Sequence, residues 1–165
     1  MNEIPEFGIK RDNEERRDGG CGIVFDPETK KFAVGKLNDK DTLRFFSGGV
    51  DANEDLHQGI LREVTEESGL CDFEKVEQVA QVMTHYYNSL RNVNRVAMAT
   101  CLLIILKSKK IDGLKLEEHE KFSLEWATAD EIVDDWKSHN QNNDYDHWIY
   151  FFNKAQERMK ELGYN

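Results

Sequence analysis

The chain has 165 residues, of which 22 are Lys or Arg and 32 are Asp or Glu, so its formal net charge is −10. A chain of this length suits one domain that buries roughly 70% of its unfolded surface, which requires neither disulfides nor a structural metal. The acidic balance argues against a protein that grips duplex nucleic acid by its phosphates, because such proteins present a strongly basic surface. We expect a small substrate instead.

The three cysteines, Cys21, Cys71 and Cys101, form no CxxC pair, so neither a disulfide framework nor a thiolate zinc site is predicted. The N-terminal segment lacks the apolar core of a signal peptide. The longest apolar run, residues 96–106, is much shorter than the about 20 residues that span a bilayer. We therefore expect a cytoplasmic protein with a single domain over residues 1–165, of which residues 1–18 are a polar lead-in.

Five strands are predicted, and all of them lie in the first two thirds of the chain. They cover residues 22–25, 32–36, 44–47, 79–87 and 95–107. The turn at 26–29 has Pro27 in the favoured second position, and the strand at 44–47 runs into Gly48 and Gly49. A polar loop at 88–94 separates the last two strands. The pattern indicates a mixed sheet.

Three helices are predicted from the spacing of apolar residues. They cover residues 55–68, 128–137 and 144–162. In the first, Leu56, Ile60 and Val64 recur every four residues and Gly69 stands where a left-handed C-cap belongs. The third carries an apolar stripe, which favours core packing over a base-stacking platform: Trp148, Phe151, Phe152, Ala155, Met159 and Leu162. Strands interleaved with helices predict an α/β or α+β sandwich.

Residues 48–70, GGVDANEDLHQGILREVTEESGL, carry the chemically informative pattern. At about 100° per residue, Glu63, Glu66 and Glu67 fall on one face of the first helix. Like charges at this spacing cost a few tenths of a kcal/mol per pair, which a divalent cation would offset. Mg²⁺ and Mn²⁺ accept carboxylate and carbonyl oxygens and keep coordination positions for phosphates. The pattern therefore predicts a phosphate ester or anhydride as substrate.

Flanking residues are placed to support these carboxylates. Glu54 and Arg62 are positioned to pair and fix the loop against the helix. Gly48 and Gly49 would let the backbone approach the ion, because glycine tolerates unusual dihedral angles and has no Cβ. The simpler alternative is an acidic, solvated helix, but nine specified positions at fixed spacing favour a site.

Those nine positions are Gly48, Glu54, Arg62, Glu63, Val64, Glu66, Glu67, Gly69 and Leu70. At each of them the sequence resembles the signature of the Nudix hydrolase family, GX5EX7REUXEEXGU. The resemblance implies an α/β/α sandwich with a central mixed sheet. It also implies hydrolysis, dependent on Mg²⁺ or Mn²⁺, of a nucleoside diphosphate linked to another moiety, such as ADP-ribose, a dinucleotide, a nucleotide sugar or a modified nucleoside triphosphate.

The resemblance also implies roles for individual residues. Glu63, Glu66 and Glu67 would bind metal, helped by the backbone carbonyl of Gly48, while Glu54 and Arg62 would brace them. A water would attack a phosphorus of the pyrophosphate, and a general base would accept its proton.

The general base is either Glu63 or an acid outside the motif. Similar enzymes often take that acid from a loop after the long hairpin; here the loop precedes Trp126, and we rank Glu120 first and Glu118 second. Residues 112–135 contain nine acids and two lysines, so a metal-facing loop and a merely solvated one are both open.

Tyr86, Arg91 and Arg95 are the predicted substrate-binding residues, since they would place an aromatic ring and cations beside a nucleotide. A hairpin end with half-buried tyrosines is the alternative. Three arginines of the lead-in would reach the substrate or a second subunit, or pair with local acids: Arg11, Arg16 and Arg17. The resemblance adds a homodimer as an expectation.

The alternative function is a nucleotide-sensing or regulatory module without turnover. The signature keeps all of its glutamates, Glu54, Glu63, Glu66 and Glu67, which favours the enzyme. Isomerase chemistry on an isoprenoid diphosphate would require a reactive cysteine near the diphosphate, which the sequence does not place. The expected partner is a small nucleotide-derived substrate, with no role for duplex nucleic acid or a membrane.

Overall fold

The computed structural model describes residues 3–37, 42–116, 122–140 and 143–164. Within these ranges, nine strands form one sheet and three helices pack on it. The strands are β1 (Glu6–Phe7), β2 (Glu15–Arg16), β3 (Gly19–Asp26), β4 (Lys31–Leu37), β5 (Leu43–Arg44), β6 (Phe46–Gly49), β7 (Phe73–Asn88), β8 (Val93–Leu106) and β9 (Phe122–Ala127). The helices are α1 (Leu56–Ser68), α2 (Ala129–His139) and α3 (Asp146–Glu161).

The sheet is mixed, as predicted. Its main path runs β1-β7-β8-β3-β4-β5, while β2 pairs with β8, β6 with β3 and β9 with β4. Strands β7 and β8 form a long antiparallel hairpin. Strand β3 lies parallel to β8 on one side and antiparallel to β6 on the other, which brings Gly20 beside Gly48.

Two hydrophobic cores lie on opposite faces of the sheet. Along β3, the side chains of Ile23 and Phe25 join the core that contains α2 and α3, whereas Val24 joins the core that contains α1. Residues 101–106 of β8 are all buried, because a strand covered on both faces has no polar side. The chain is therefore an α/β/α sandwich, which confirms the predicted fold class.

The predicted helices are confirmed within two residues at each end. Asp55 caps α1, with its carboxylate accepting a hydrogen bond from the Gln58 N–H, and Gly69 ends it in a left-handed conformation at φ 82°. Thr128 and Glu131 form a capping box at the start of α2. The stripe of α3 packs in the core as predicted, where four of its members are buried: Phe151, Phe152, Ala155 and Met159.

The prediction of one strand at 44–47 is wrong, because the chain changes partner there. Strand β5 pairs with β4, and β6 pairs with β3. Phe45, between them, is 1% exposed, and its ring centroid lies 5.3 Å from that of Trp136 on α2. Burial of this ring interrupts the ladder, and the next residue, Phe46, turns into the core under α1.

Two other stretches are more regular than predicted. The lead-in contributes β1, which pairs with β7, and β2, which pairs with β8, so this polar segment belongs to the sheet. The predicted loop at 88–94 is a short turn between Asn88 and Val93, with Asn92 at φ 52°.

None of the described helices has both the length and the apolar composition needed to cross a bilayer.

Candidate active site

Arg62 forms an ion pair with Glu54, which is the contact that the sequence predicts. Its Nε donates to Glu54 Oε2 at 2.6 Å and its Nη2 donates to Glu54 Oε1 at 3.0 Å, which is the two-point geometry that a guanidinium makes with a carboxylate. The hydrogen bonds from Arg62 lower the pKa of Glu54, and those to Glu54 raise the pKa of Arg62. Both groups are therefore charged at neutral pH, and the loop before α1 is tied to the helix.

The same guanidinium gathers two further carboxylates. Its Nη1 donates to Glu63 Oε1 and to Glu66 Oε2, each at 3.1 Å. The repulsion expected between acids on one helix face is thus offset in this structure by a cation of the protein itself. Arg62 is the centre of a charge network and not only a partner of Glu54.

Glu67 is buried, with 5% of its surface exposed. Its Oε1 accepts a hydrogen bond from the Ser47 backbone N–H at 2.9 Å. A buried carboxylate needs such partners, because its desolvation is otherwise costly. The contact ties α1 to the residue immediately before Gly48 and Gly49, so the carboxylate stands beside this glycine bend.

Gly48 and Gly49 are required for close approach, not for unusual dihedral angles. A Cβ on Gly48 would lie 2.3 Å from Glu63 Cδ, and a Cβ on Gly49 would lie 2.4 Å from Arg17 Nε. Neither glycine has a positive φ, so that part of the expectation is wrong. The bend has a carboxylate on its α1 side and a guanidinium on the other.

The donor set fits a hard divalent cation. Glu63, Glu66 and Glu67 offer only carboxylate oxygens, which Mg²⁺ and Mn²⁺ prefer, and Glu63 occupies the space that a side chain at Gly48 would fill. In the described part of the chain, no group of three or more His, Cys, Asp or Glu side chains is already converged to hold a metal ion. Arg62 Nη1 holds two of these carboxylates, and the Ser47 N–H holds the third.

A cavity of about 1210 Å³ adjoins the glycine bend on the α3 side of the sheet. Its cationic lining consists of Arg11, Arg17, Arg44, Arg91 and Arg95, and its acidic lining of Glu6, Asp144 and Asp146. Small residues of the strands form part of its floor: Gly19, Gly20, Gly48, Gly49, Ala97 and Ala99. A cavity with more arginines than acids, in a chain of net charge −10, favours an anionic ligand.

The predicted substrate residues all line this cavity. Tyr86 and Arg95 lie directly opposite each other on β7 and β8, and Arg91 lies at the exposed turn between the strands. The Nε of Arg95 is buried and has no hydrogen-bond partner among the described residues. Glu63, Glu66 and Glu67 do not line the cavity; they meet it only through the glycine bend.

Sequence reasoning did not assign several residues of the cavity wall to the site, among them Arg44, His147 and Trp148. Arg44, whose guanidinium lies 5.1 Å from the Phe122 ring centroid, had no recognisable signal. Burial lowers the pKa of His147 to about 4, although Asp146 and Asp144 raise it, so this imidazole is neutral at pH 7. Trp148 was expected only in the core, yet it also lines the cavity.

The arginines of the lead-in lie in different places. Arg17 and Arg11 line the cavity. Arg16 is exposed and forms hydrogen bonds of 3.0 and 3.2 Å with Asp18, as the alternative of pairing with a local acid predicts. The alternation of side chains along an extended segment separates Arg16 from Arg17.

Glu118 and Glu120 lie outside the described residues, so the structure does not test them as general bases. The chain that leads to them is anchored on α1. The Lys115 N–H donates to the Glu66 carbonyl oxygen at 2.7 Å, and the Asp112 N–H donates to the Gly69 carbonyl oxygen at 2.7 Å. Residues 117–121 therefore follow a segment that is fixed to the helix that carries the carboxylates.

An α/β/α sandwich in which a carboxylate-bearing helix adjoins a cationic cavity suits a protein that binds phosphate-containing ligands. A family model described as the NUDIX domain matches residues 16–150. The chain therefore belongs to the NUDIX domain family, and it is a pyrophosphohydrolase of that family.

Solved structures share the fold at low sequence identity. The NUDIX domain of Shewanella oneidensis NrtR, solved with ADP ribose, is 14% identical over 88% of this chain and 90% of its own, with a TM-score of 0.64. The mutator MutT protein from Bacillus halodurans is 17% identical over 72% of both chains, with a TM-score of 0.56. The Ap4A hydrolase of C. elegans is 11% identical over 88% of this chain and 99% of its own, with a TM-score of 0.55. No curated protein gives a significant sequence match.

Proposed function

We propose that this protein hydrolyses, with Mg²⁺ or Mn²⁺, the pyrophosphate linkage of a nucleoside diphosphate joined to another moiety. One observation carries the proposal: a complete set of box carboxylates adjoins, through Gly48, a cavity lined by five arginines. Carboxylate oxygens are ligands that the cation prefers, and arginines pair with phosphates. The two sets of side chains meet at Gly48.

The size of the cavity supports a ligand as large as a nucleotide derivative. Its volume of about 1210 Å³ exceeds the range of roughly 300–1,000 Å³ that is usual for small-molecule sites. The NrtR domain was solved with ADP ribose, and the C. elegans enzyme is an Ap4A hydrolase. Tyr86 and Trp148 would face the base or the sugar of such a ligand.

Each residue of the site has a proposed role in hydrolysis. Glu63, Glu66, Glu67 and the Gly48 carbonyl would hold the divalent ion, which when bound neutralises phosphate charge and orients the phosphate oxygens. Glu54 would fix Arg62, and Arg62 in turn positions Glu63 and Glu66. Arg91 and Arg95 would contact the substrate, and Gly49 would support the site. Hydrolysis joins a water oxygen to phosphorus and breaks the bridging P–O bond, whose electron pair leaves with the departing phosphate.

The proton released by the water goes to a carboxylate. Glu63 is one candidate, because it lies against Gly48 at the border of the cavity. Glu118 and Glu120 are the others, since they stand three and five positions after Lys115, whose N–H is hydrogen-bonded to the Glu66 carbonyl oxygen. A positioned base contributes on the order of 10² to 10⁴ in rate.

The proposal is tested with Glu67→Gln, assayed on a panel of nucleoside diphosphate derivatives with Mg²⁺ and with Mn²⁺. Glutamine keeps an oxygen that accepts the Ser47 N–H, so we expect a folded protein that has lost most metal-dependent turnover. Glu74→Gln, a charge-matched change at an exposed position of β7, is the control and retains turnover. Wild-type turnover by Glu67→Gln would reject the assignment, and binding without hydrolysis by the wild type would favour a sensing module.

Two finer expectations stay predictions. A cytoplasmic location agrees with free cysteines at positions 21, 71 and 101. A homodimer rests on the family resemblance alone.

A further inference from the structure

We infer that Arg17 and Arg95 form a phosphate clamp on the floor of the cavity, which extends from the glycine bend away from the carboxylates and holds a phosphoryl group beyond the metal-bound diphosphate. The inference rests on the proposed function and narrows its substrate class to compounds with three or more linked phosphates.

The strand register places the two arginines on one face. Arg95 lies opposite Glu15 of β2, and the Arg17 N–H donates to the Val96 carbonyl oxygen at 3.0 Å. Arg17 is two residues beyond Glu15, and alternate residues of an extended segment share a face. Both arginines accordingly line the cavity, whereas Arg16, which precedes Arg17 in the chain, does not.

Arg95 addresses a different part of the ligand from the glycine bend. Ala99 of β8, Gly19 of β3 and Gly49 of β6 stand side by side in the sheet. Arg95 is four residues from Ala99, or about 13 Å along the strand. Arg17 lies between the two positions, because its Nε occupies the space beside Gly49. The arginines therefore extend a cationic track away from the carboxylates.

The hydrogen-bonding state of Arg95 indicates a missing acceptor. Its Nε is buried without a partner among the described residues, and a buried donor without an acceptor is costly. Among the described residues, Arg17 pairs with the carboxylate of Asp51, whose Oδ1 lies 3.8 Å from Arg17 Nη2. The positive charges of Arg17 and Arg95 can therefore pair with an anionic ligand. A phosphoryl group would neutralise this charge and match the fork geometry of a guanidinium, whereas sugar hydroxyls carry no charge.

The first arm of the test measures binding without divalent metal. Calorimetry in a chelator compares inorganic tripolyphosphate with pyrophosphate on the whole protein and on Arg95→Gln. We expect tighter binding of tripolyphosphate by the wild type, and a loss of about 10- to 100-fold in that affinity in the variant, as for a hydrogen bond to a charged group. Arg16→Gln removes the same charge from the other face and leaves the affinity unchanged.

The second arm measures metal-dependent hydrolysis of ATP and of ADP-ribose. The ratio of kcat/KM for ATP to that for ADP-ribose falls about 10- to 100-fold in Arg95→Gln, through KM, and is unchanged in Arg16→Gln. The variant folds as stably as the wild type in urea, because Nε loses no hydrogen bond. If the variant does not fold, Arg17→Gln is required to show the same change in ratio.

The outcomes separate the clamp from the proposed function. Equal losses on ATP and ADP-ribose, or unchanged tripolyphosphate affinity in Arg95→Gln, would overturn the clamp and leave the hydrolase intact. Absence of turnover of every substrate by the wild type would contradict the proposed function, and the chelator arm would still decide whether the clamp exists.

Discussion

Gly48 and Gly49 are adjacent but have different side chains beside them. Substitutions at the two glycines should therefore affect metal binding and substrate binding separately. A methyl group on Gly48 would meet Glu63, whereas one on Gly49 would meet Arg17. In both cases the obstructing group is the end of a flexible side chain, so the side chain moves and the backbone stays. Each substitution therefore displaces one functional group at little cost in stability.

We predict that Gly48→Ala lowers kcat for metal-dependent hydrolysis on the order of 10²-fold, as expected when a catalytic group shifts by about 1 Å. Gly49→Ala, its matched control, moves Arg17 and raises KM more than it lowers kcat. Steady-state kinetics at saturating Mg²⁺, with urea unfolding alongside, measures both. A similar effect of the two variants on kcat and KM would contradict the division of roles.

His147 gives the fold a dependence on pH. Its pKa is about 4 in the folded protein because of burial, against about 6.5 in an unfolded chain. Between these values the unfolded state binds more protons, so this contribution to stability is complete above pH 6.5 and is lost as the pH falls toward 4. The loss amounts to up to about 3 kcal/mol.

We therefore predict that His147→Gln flattens the fall in unfolding free energy between pH 6.5 and pH 4. Urea denaturation of both proteins across this range measures the difference, while other titrating groups contribute equally to both. Parallel curves for the variant and the wild type would show that the imidazole is not desolvated.

At the scale of the element, α1 is held to the preceding loop by one ion pair. Arg62 and Glu54 share two hydrogen bonds, and Arg62 Nη1 reaches Glu63 and Glu66. We predict that Glu54→Gln and Arg62→Lys are coupled in a double-mutant cycle, with the double variant losing less unfolding free energy than the sum of the single changes. Urea unfolding of the four proteins measures the coupling, and strict additivity would contradict the brace.

The coupling also depends on pH, with a definite sign. The hydrogen bonds from Arg62 lower the pKa of Glu54 in the folded protein. The stability that this pair contributes is therefore present above the ordinary pKa of a glutamate and is lost as acid protonates the folded carboxylate. Repeating the cycle at acidic pH should abolish the coupling.

Elements with strong local signals could be predicted from the sequence, and those that depend on distant partners could not. The period of Leu56, Ile60 and Val64 and the cap Gly69 define α1 without reference to the rest of the chain. The break at Phe45 and the strands of the polar lead-in depend on tertiary contacts with Trp136 and with β7 and β8.

The same distinction applies to the site. The box residues were found because their spacing is fixed along one helix and one loop. Arg44 and His147 reach the cavity from separate elements, so no spacing in the sequence relates them to the box. Arg62 as the cation between Glu63 and Glu66 also required coordinates, because helical spacing alone favours a metal there.

At the scale of the whole molecule, the sandwich separates opposite charges and joins them at one border. The carboxylates lie with α1 on one face of the sheet, and the arginine-lined cavity lies on the α3 side. The two groups meet at the glycine bend of β6, because Gly48 and Gly49 have no side chains to keep them apart. This arrangement gives a chain of net charge −10 a locally cationic surface, which favours an anionic ligand there.

The proposed function requires a divalent cation to replace Arg62 Nη1 between Glu63 and Glu66, which Nη1 contacts in this structure. A crystal structure with Mn²⁺ and a non-hydrolysable nucleotide tests it most directly. We predict an ion bound by Glu63, Glu66 and Glu67, with Nη1 withdrawn from the first two while Nε and Nη2 stay on Glu54. Carboxylates still bridged by Nη1, with no ion between them and the nucleotide elsewhere, would contradict the account.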